Sequence, residues 1–169
     1  MKKVLITMVA VLALAGTMFA ADITKTANVT VSATVGSAAS LALNQTTQTF
    51  ADSDPATVPS IAATEGAITI TAKARTGSSS GVTLTVVSGD DLKSGSDTIL
   101  INNLTWTASG NHYGAGTMNA STAQTVASWT GSTPNPGGYV GAQTYALANS
   151  WAYATGSYTA TLTYTLTVP

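Results

Sequence analysis

The sequence predicts an all-β chain, an Ig-like Greek-key β-sandwich of about seven to nine antiparallel strands. Three observations predict it. Apolar and polar residues alternate with a period of two through most of the chain beyond residue 21, and helical spacing is almost absent there. Clusters of Gly, Pro, Asn, Asp and Ser interrupt these runs about every ten to fifteen residues, as turns do between short strands. Cysteine is absent, so neither disulfides nor thiolate metal sites are open to the chain, and a single apolar core or assembly must hold it together.

The elements follow in order. Met1-Lys2-Lys3 is a short cationic head, and Val4 to Gly16 is an apolar run of about a dozen residues, the size of a secretory h-region and too short to span a bilayer. The expectation is a signal peptide over 1–20, a secreted or cell-surface location, and one domain over 21–169 with no transmembrane segment after cleavage. "TANVTVSATV" then reads as a strand, with Ala27, Val29, Val31, Ala33 and Val35 on one face and Asn28, Thr30, Ser32 and Thr34 on the other. "SLAL", with Leu41 and Leu43, is a short second strand, and "ADSDPATVPS" with Pro55 and Pro59 is a turn.

"AITITAKA" sends Ile68, Ile70, Ala72 and Ala74 inward, and "VTLTVV" does the same with Val82, Leu84 and Val86. Joined by the loop "RTGSSSG", the two read as a hairpin. In "TILINNLTWTA" Ile99 and Ile101 share one phase and Leu104, Trp106 and Ala108 the other, so the slip at Asn102–Asn103 predicts a bulge or a bend between sheets. Residues 109–150 are richer in Gly, Ser, Asn and Pro, with strands near Gln124–Trp129 and Ala142–Ala148 around the "GSTPNPGG" turn. The last strand runs about eleven residues, from Ser157 to Val168, longer than the usual five or six. One side of it is Tyr158, Ala160, Leu162, Tyr164, Leu166 and Val168; the other is threonine at 159, 161, 163, 165 and 167. Such a hydroxyl row could match an ice lattice, although a solvent-facing strand favours threonine in any case.

Charge excludes one large class of function. Without residues 1–20 the cations are Lys25, Lys73, Lys93 and Arg75 against seven carboxylates, a net charge of −3. Four scattered cations build no phosphate-binding patch, so nucleic acid is not a partner. Charged residues make up 8% of the chain, and the hydroxyl-rich surface that results offers little like-charge repulsion to association.

Catalytic signals are thin. His112 is the single histidine and no G-x-S-x-G elbow is present, so no triad is assigned. Asp90 and Asp91 are adjacent and would point to opposite faces of a strand, while Glu65 stands alone, which does not suit paired-carboxylate chemistry. The chain is read as a non-enzyme with no cofactor. No metal is assigned either; the hard-oxygen groups that could gather around calcium are Asp52, Asp54, Asp90, Asp91 and Asp97, none in EF-hand spacing and all in places where Asx-turns are common. Tyr113, Trp129, Tyr139, Trp151 and Tyr153 lie in or near the Gly-rich segment and could either fill a thin core or form an exposed platform on which sugar rings stack.

The closing "GSYTATLTYTLTVP" resembles the C-terminal end of WxL-type surface domains, where a Tyr-x-x-x-Leu element leads a long terminal strand; Tyr158 and Leu162 match it. Gly156-Ser157-Tyr158 is also similar to the strand opening of spore-coat-U-like secreted pilin-like proteins, and the resemblance covers about the last fifteen residues plus the general pattern of "NVTVSATV" directly after the signal peptide. No Trp-x-Leu triplet is present. Both resemblances imply a non-catalytic β-sandwich displayed or assembled outside the cell.

The strands lead to the same expectation. A terminal strand this apolar on one face must be paired, and an open edge invites a strand from another chain. Residues 21–37 would supply one, by the donor-strand addition that builds fibres head to tail. The assembly set is Ala27, Val29, Val31, Ala33 and Val35 on the donor side and Tyr158, Leu162, Tyr164 and Leu166 on the acceptor side. The partners expected are copies of the chain itself or cell-surface components. The alternative is a cell-surface carbohydrate-binding or adhesive module.

Overall fold

The structure, a computed structural model, describes residues 24–134 and 136–169. The signal peptide expected over 1–20 lies outside the described residues. By backbone proximity the chain divides into Met1–Thr34 and Val35–Pro169. Among the described residues all strands belong to the second unit: β1 (Ala38–Leu43), β2 (Ser60–Ala62), β3 (Ile68–Arg75), β4 (Gly81–Val87), β5 (Leu92–Ser94), β6 (Asp97–Ile99), β7 (Leu104–Ser109), β8 (Gly116–Thr117), β9 (Gln124–Thr130), β10 (Tyr139–Ala148) and β11 (Thr163–Thr167). The count exceeds seven to nine because β2, β5, β6 and β8 have only two or three residues each.

Every pairing is antiparallel. One sheet runs β1-β3-β10-β7-β8, with β2 also on β10; a second runs β11-β4-β9; β5 and β6 form a separate ribbon. The two main sheets share one core. Ile70, Ala72, Trp106 and Tyr145 come from the first and Val82, Leu84, Val86, Val126 and Trp129 from the second, all buried in a single cluster. The alternation read from "AITITAKA" and "VTLTVV" is the burial alternation observed in β3 and β4. Burying such rows, at ~1.5–3 kcal/mol per large side chain, is what selects these faces.

Three expectations are corrected and one is decided between its two alternatives. Thr26–Val35 was expected to be a strand, but no residue from 24 to 37 lies in a ladder; a strand needs a partner, and none of the described strands supplies one. β3 and β4 are not a hairpin: they lie in different sheets, β3 between β1 and β10 and β4 between β11 and β9. The link over 76–80 holds a short turn, with the Ser80 N–H bonded to Gly77 O, and five residues reach far enough to cross the ~10 Å between packed sheets.

The phase slip at Asn102–Asn103 is the expected bend between sheets and not a bulge: a 3-10 turn, Ile101–Asn103, carries the chain from β6 of the ribbon to β7 of the first sheet. Finally, the terminal strand is ladder-bonded over five residues only. Thr163 pairs with Val87, where β4 ends, so residues 158–162 run beyond its reach and pair with the ribbon only at the Thr159–Lys93 bridge.

Candidate functional site

The first sheet ends at β1 and the second at β11, and these two edges are neighbours. β1 is bonded on one side to β3, from Ala38 opposite Arg75 to Leu43 opposite Ile70. β11 is bonded on one side to β4. No described residue pairs with the other side of either strand, so both present free backbone N–H and C=O groups. The two edges are fastened at one end: Ser37 Oγ donates to Pro169 O at 2.8 Å and Thr76 Oγ1 donates to the same oxygen at 2.6 Å.

The apolar rows of these edges are only half covered. Leu41 and Leu43 of β1, and Tyr158, Leu162, Tyr164, Leu166 and Val168 along the terminal segment, all pack on the core yet keep part of their surface in water. Ala27, Val29, Val31, Ala33 and Val35 are the apolar row of the unpaired segment. Val29, Val31 and Val35 are exposed to 85%, 87% and 70%. Three branched apolar side chains left in water at regular spacing are an unmet demand for burial.

The aromatic residues do not form one platform. Trp129 is 6% exposed and belongs to the core, its Nε1 without a partner among the described residues. Tyr113 lies over Gly141 of β10, where a Cβ would run into its ring, and its hydroxyl donates to Ile70 O and Tyr139 O at 3.3 and 3.2 Å. Partial burial pushes its phenol up to about 12. His112 holds a positive φ of 75°, and its imidazole centroid stands 4.2 Å from that of Tyr139 and 6.4 Å from that of Trp129. Trp151 and Tyr153 follow the far end of β10, whose ten residues put Ala148 about 30 Å from Tyr139 at ~3.3 Å per residue. Trp151 is 76% exposed.

The carboxylates serve turns and surface contacts. Asp54 Oδ1 accepts the Ala56 N–H, and Asp91 Oδ1 accepts the N–H of Ile101 and so anchors the 3-10 turn. Asp90 pairs with Lys93 at 2.6 Å; that hydrogen bond lowers the acid and raises the amine. Glu65 is held low by the hydroxyl and N–H of Thr49, both at 2.6 Å. Among the described residues no three of His, Cys, Asp or Glu come close enough to hold an ion, and Asp52, Asp54, Asp90, Asp91 and Asp97 are not gathered.

No family model, curated protein or solved structure matches the chain.

One polar cluster escaped sequence reasoning. Gln143 and Tyr145 of β10 face the core, and Tyr164 of β11 reaches them across the sandwich: Tyr164 OH donates to Gln143 Oε1 at 2.5 Å, and 2.6 Å separates the two phenol oxygens. Burial raises both phenols, Tyr145 the more strongly, with the neighbouring Tyr164 adding to it. Gln143 Nε2 has no partner among the described residues. The signal was available, since Gln143 shares the inward phase of Gly141, Tyr145 and Leu147. Chemically this cluster joins the sheets and fixes the register of the edge strand β11. A surface pocket of about 560 Å³ is lined by Ala38–Ser40, Lys73–Arg75, Ser132–Pro134 and Pro136. It is therefore next to the β1 edge.

Proposed function

We propose that the protein is a secreted, non-catalytic structural subunit of an extracellular fibre, pilus-like filament or surface matrix. Its sandwich acts as an Ig-like Greek-key domain with room for one more strand, and the Ala27–Val35 segment of one copy fills that place in the next. The reading rests on one observation: an alternating apolar segment stands outside every ladder, while the apolar rows of two neighbouring unpaired edges stay half covered. Backbone pairing with a free edge gives affinity, and burial of alternate side chains gives register. The resemblance of "GSYTATL" to pilin-like and WxL-type surface proteins points the same way. Copies of the chain, or cell-surface components, are the partners.

The test is a chain lacking residues 21–35, examined by negative-stain microscopy and light scattering. The full mature chain forms filaments; the shortened one stays as single particles and binds a peptide of residues 24–35 one to one. Filaments from the shortened chain would end the proposal.

A second reading, a carbohydrate-binding or adhesive module, is favoured by Trp151, whose ring is largely in water beyond β10. Glycan-array binding that disappears in Trp151→Ala would support it, and a blank array would count against it.

A further inference from the structure

We infer that the link between the unpaired segment and β1 opposes closure of that segment onto its own sandwich, and so directs it to a second copy of this chain. The inference rests on the donor-strand reading above and adds to it a reason why the donor leaves home.

Residues directly opposite in an antiparallel pair point to the same face. In β1 the residues turned to the core are odd-numbered, Leu41 and Leu43. The apolar row of the segment is odd-numbered too, from Ala27 to Val35. An odd residue lies opposite an odd one only when the connecting loop has an odd number of residues. Gly36-Ser37 is a two-residue link whose composition, Gly first and Ser second, suits the tight II′ hairpin turn. That turn would place Val35 opposite Ala38, Ser32 opposite Leu41 and Thr30 opposite Leu43. The hydroxyl row would then enter the core side, and Val31 and Ala33 would face water beside Ala42 and Ser40.

The loop of correct parity is poorly served. A three-residue loop over Val35–Ser37 ends on a residue in the left-handed region, which here is Ser37, not a glycine. The observed backbone follows neither turn. Gly36 does not take the positive φ that the tight turn needs at its first position. Arg75 Nε donates to Gly36 O at 2.8 Å, and Ser37 Oγ is engaged with Pro169 O, so both link residues are fixed at the fastened end of the two edges. A segment arriving from another copy carries no such link. Its register is free to shift by one residue, and its valines then sit beside Leu41 and Leu43.

The experiment exchanges the phase of the segment while leaving Gly36-Ser37 intact. The variant V29T/T30V/V31S/S32V/A33T/T34A keeps the composition and moves the apolar row to even positions, where the tight turn and the core face agree. Closure within one chain then competes at millimolar effective concentration against copies at micromolar concentration. The expected result in light scattering is monomer, with at least a ten-fold rise in the concentration needed for filaments and a higher unfolding midpoint by circular dichroism. Ser37→Gly, which supplies the left-handed residue for the odd loop with the native segment, is expected to shift filaments toward monomer by about five-fold or more.

A phase-exchanged chain that folds and polymerises at the native concentration overturns the inference, as does a Ser37→Gly chain with no shift. Should the phase-exchanged chain fail to fold, Ser37→Gly decides alone. Neither result touches the donor-strand reading, which fails separately if the chain without residues 21–35 makes the same filaments.

Discussion

At Gly141 the absence of a side chain is a packing requirement. A Cβ there would enter the ring of Tyr113, which lies across β10 and ties its hydroxyl to two backbone carbonyls. Gly116 stands in the same relation to Trp106, whose Nε1 donates to Gly114 O at 2.8 Å. Gly141→Ala is expected to lower the unfolding free energy by about 1–3 kcal/mol, the usual cost of overpacking, while Gly137→Ala, with open space around it, stays within about 0.5 kcal/mol. Urea denaturation of the two variants checks this. The phenols give a second prediction. Burial raises Tyr113 to about 12 and raises Tyr145 and Tyr164 as well, so folding favours their protonated forms. With an unfolded value near 10, the folded chain binds more protons than the unfolded one above pH ~10, and the stabilisation present below that pH is lost as pH rises. Phenolate absorbance should therefore include a late step, above pH ~10, that coincides with loss of the β-sheet circular dichroism signal. Tyr145→Phe should shrink the late step alone.

At the scale of the element, the unpaired segment and the strand that most needs its neighbours behave differently. Val29→Asp together with Val31→Asp touches side chains that lie in water, so the sandwich should unfold within about 0.5 kcal/mol of the native chain while filament formation falls at least ten-fold. Ile70→Ala, at a fully buried position of β3, should cost about 2–5 kcal/mol. Denaturation and light scattering on the same preparations separate the two effects. The contrast also marks how far sequence carries. Alternation tells which face of a strand is buried, because a period of two is a local property, and Ile68, Ile70, Val82, Leu84 and Val86 were legible for that reason. It does not tell which strand lies alongside, because pairing is decided by residues far apart in the chain. Hence β3 and β4 looked like a hairpin and are in opposite sheets, and the terminal strand looked eleven residues long although β4 stops at Val87. The aromatics were ambiguous for a related reason: Trp129 and Trp151 sit in similar Gly- and Ser-rich surroundings, and only the fold sends one inward and leaves the other in water. Of the assembly set, the apolar phase of 27–35 and 158–168 was readable, whereas the nearness of the β1 and β11 edges was not.

For the whole molecule, charge is the quantity that tests the proposed assembly most directly. Charged side chains are 8% of the chain, and the salt bridge found among the described residues, Lys93 of β5 with Asp90 in the loop before it, is an exposed pair. Exposed pairs contribute little and are screened by salt, so neither folding nor association can lean on them. Association by strand addition draws instead on backbone hydrogen bonds and on burying valine, neither of which salt at ordinary concentration weakens. Each copy without residues 1–20 carries a net charge of −3 against its neighbours. Salt therefore has only a small repulsion to remove. Filament growth followed by light scattering from 50 to 500 mM sodium chloride should change by less than about two-fold, and any change should be a slight acceleration. Sodium sulfate, which is excluded from apolar surface and strengthens its burial, should accelerate growth more than sodium chloride at matched ionic strength. A steep slowing with sodium chloride would mean that opposite charges hold the copies together, and the exposed valines would then not be the contact.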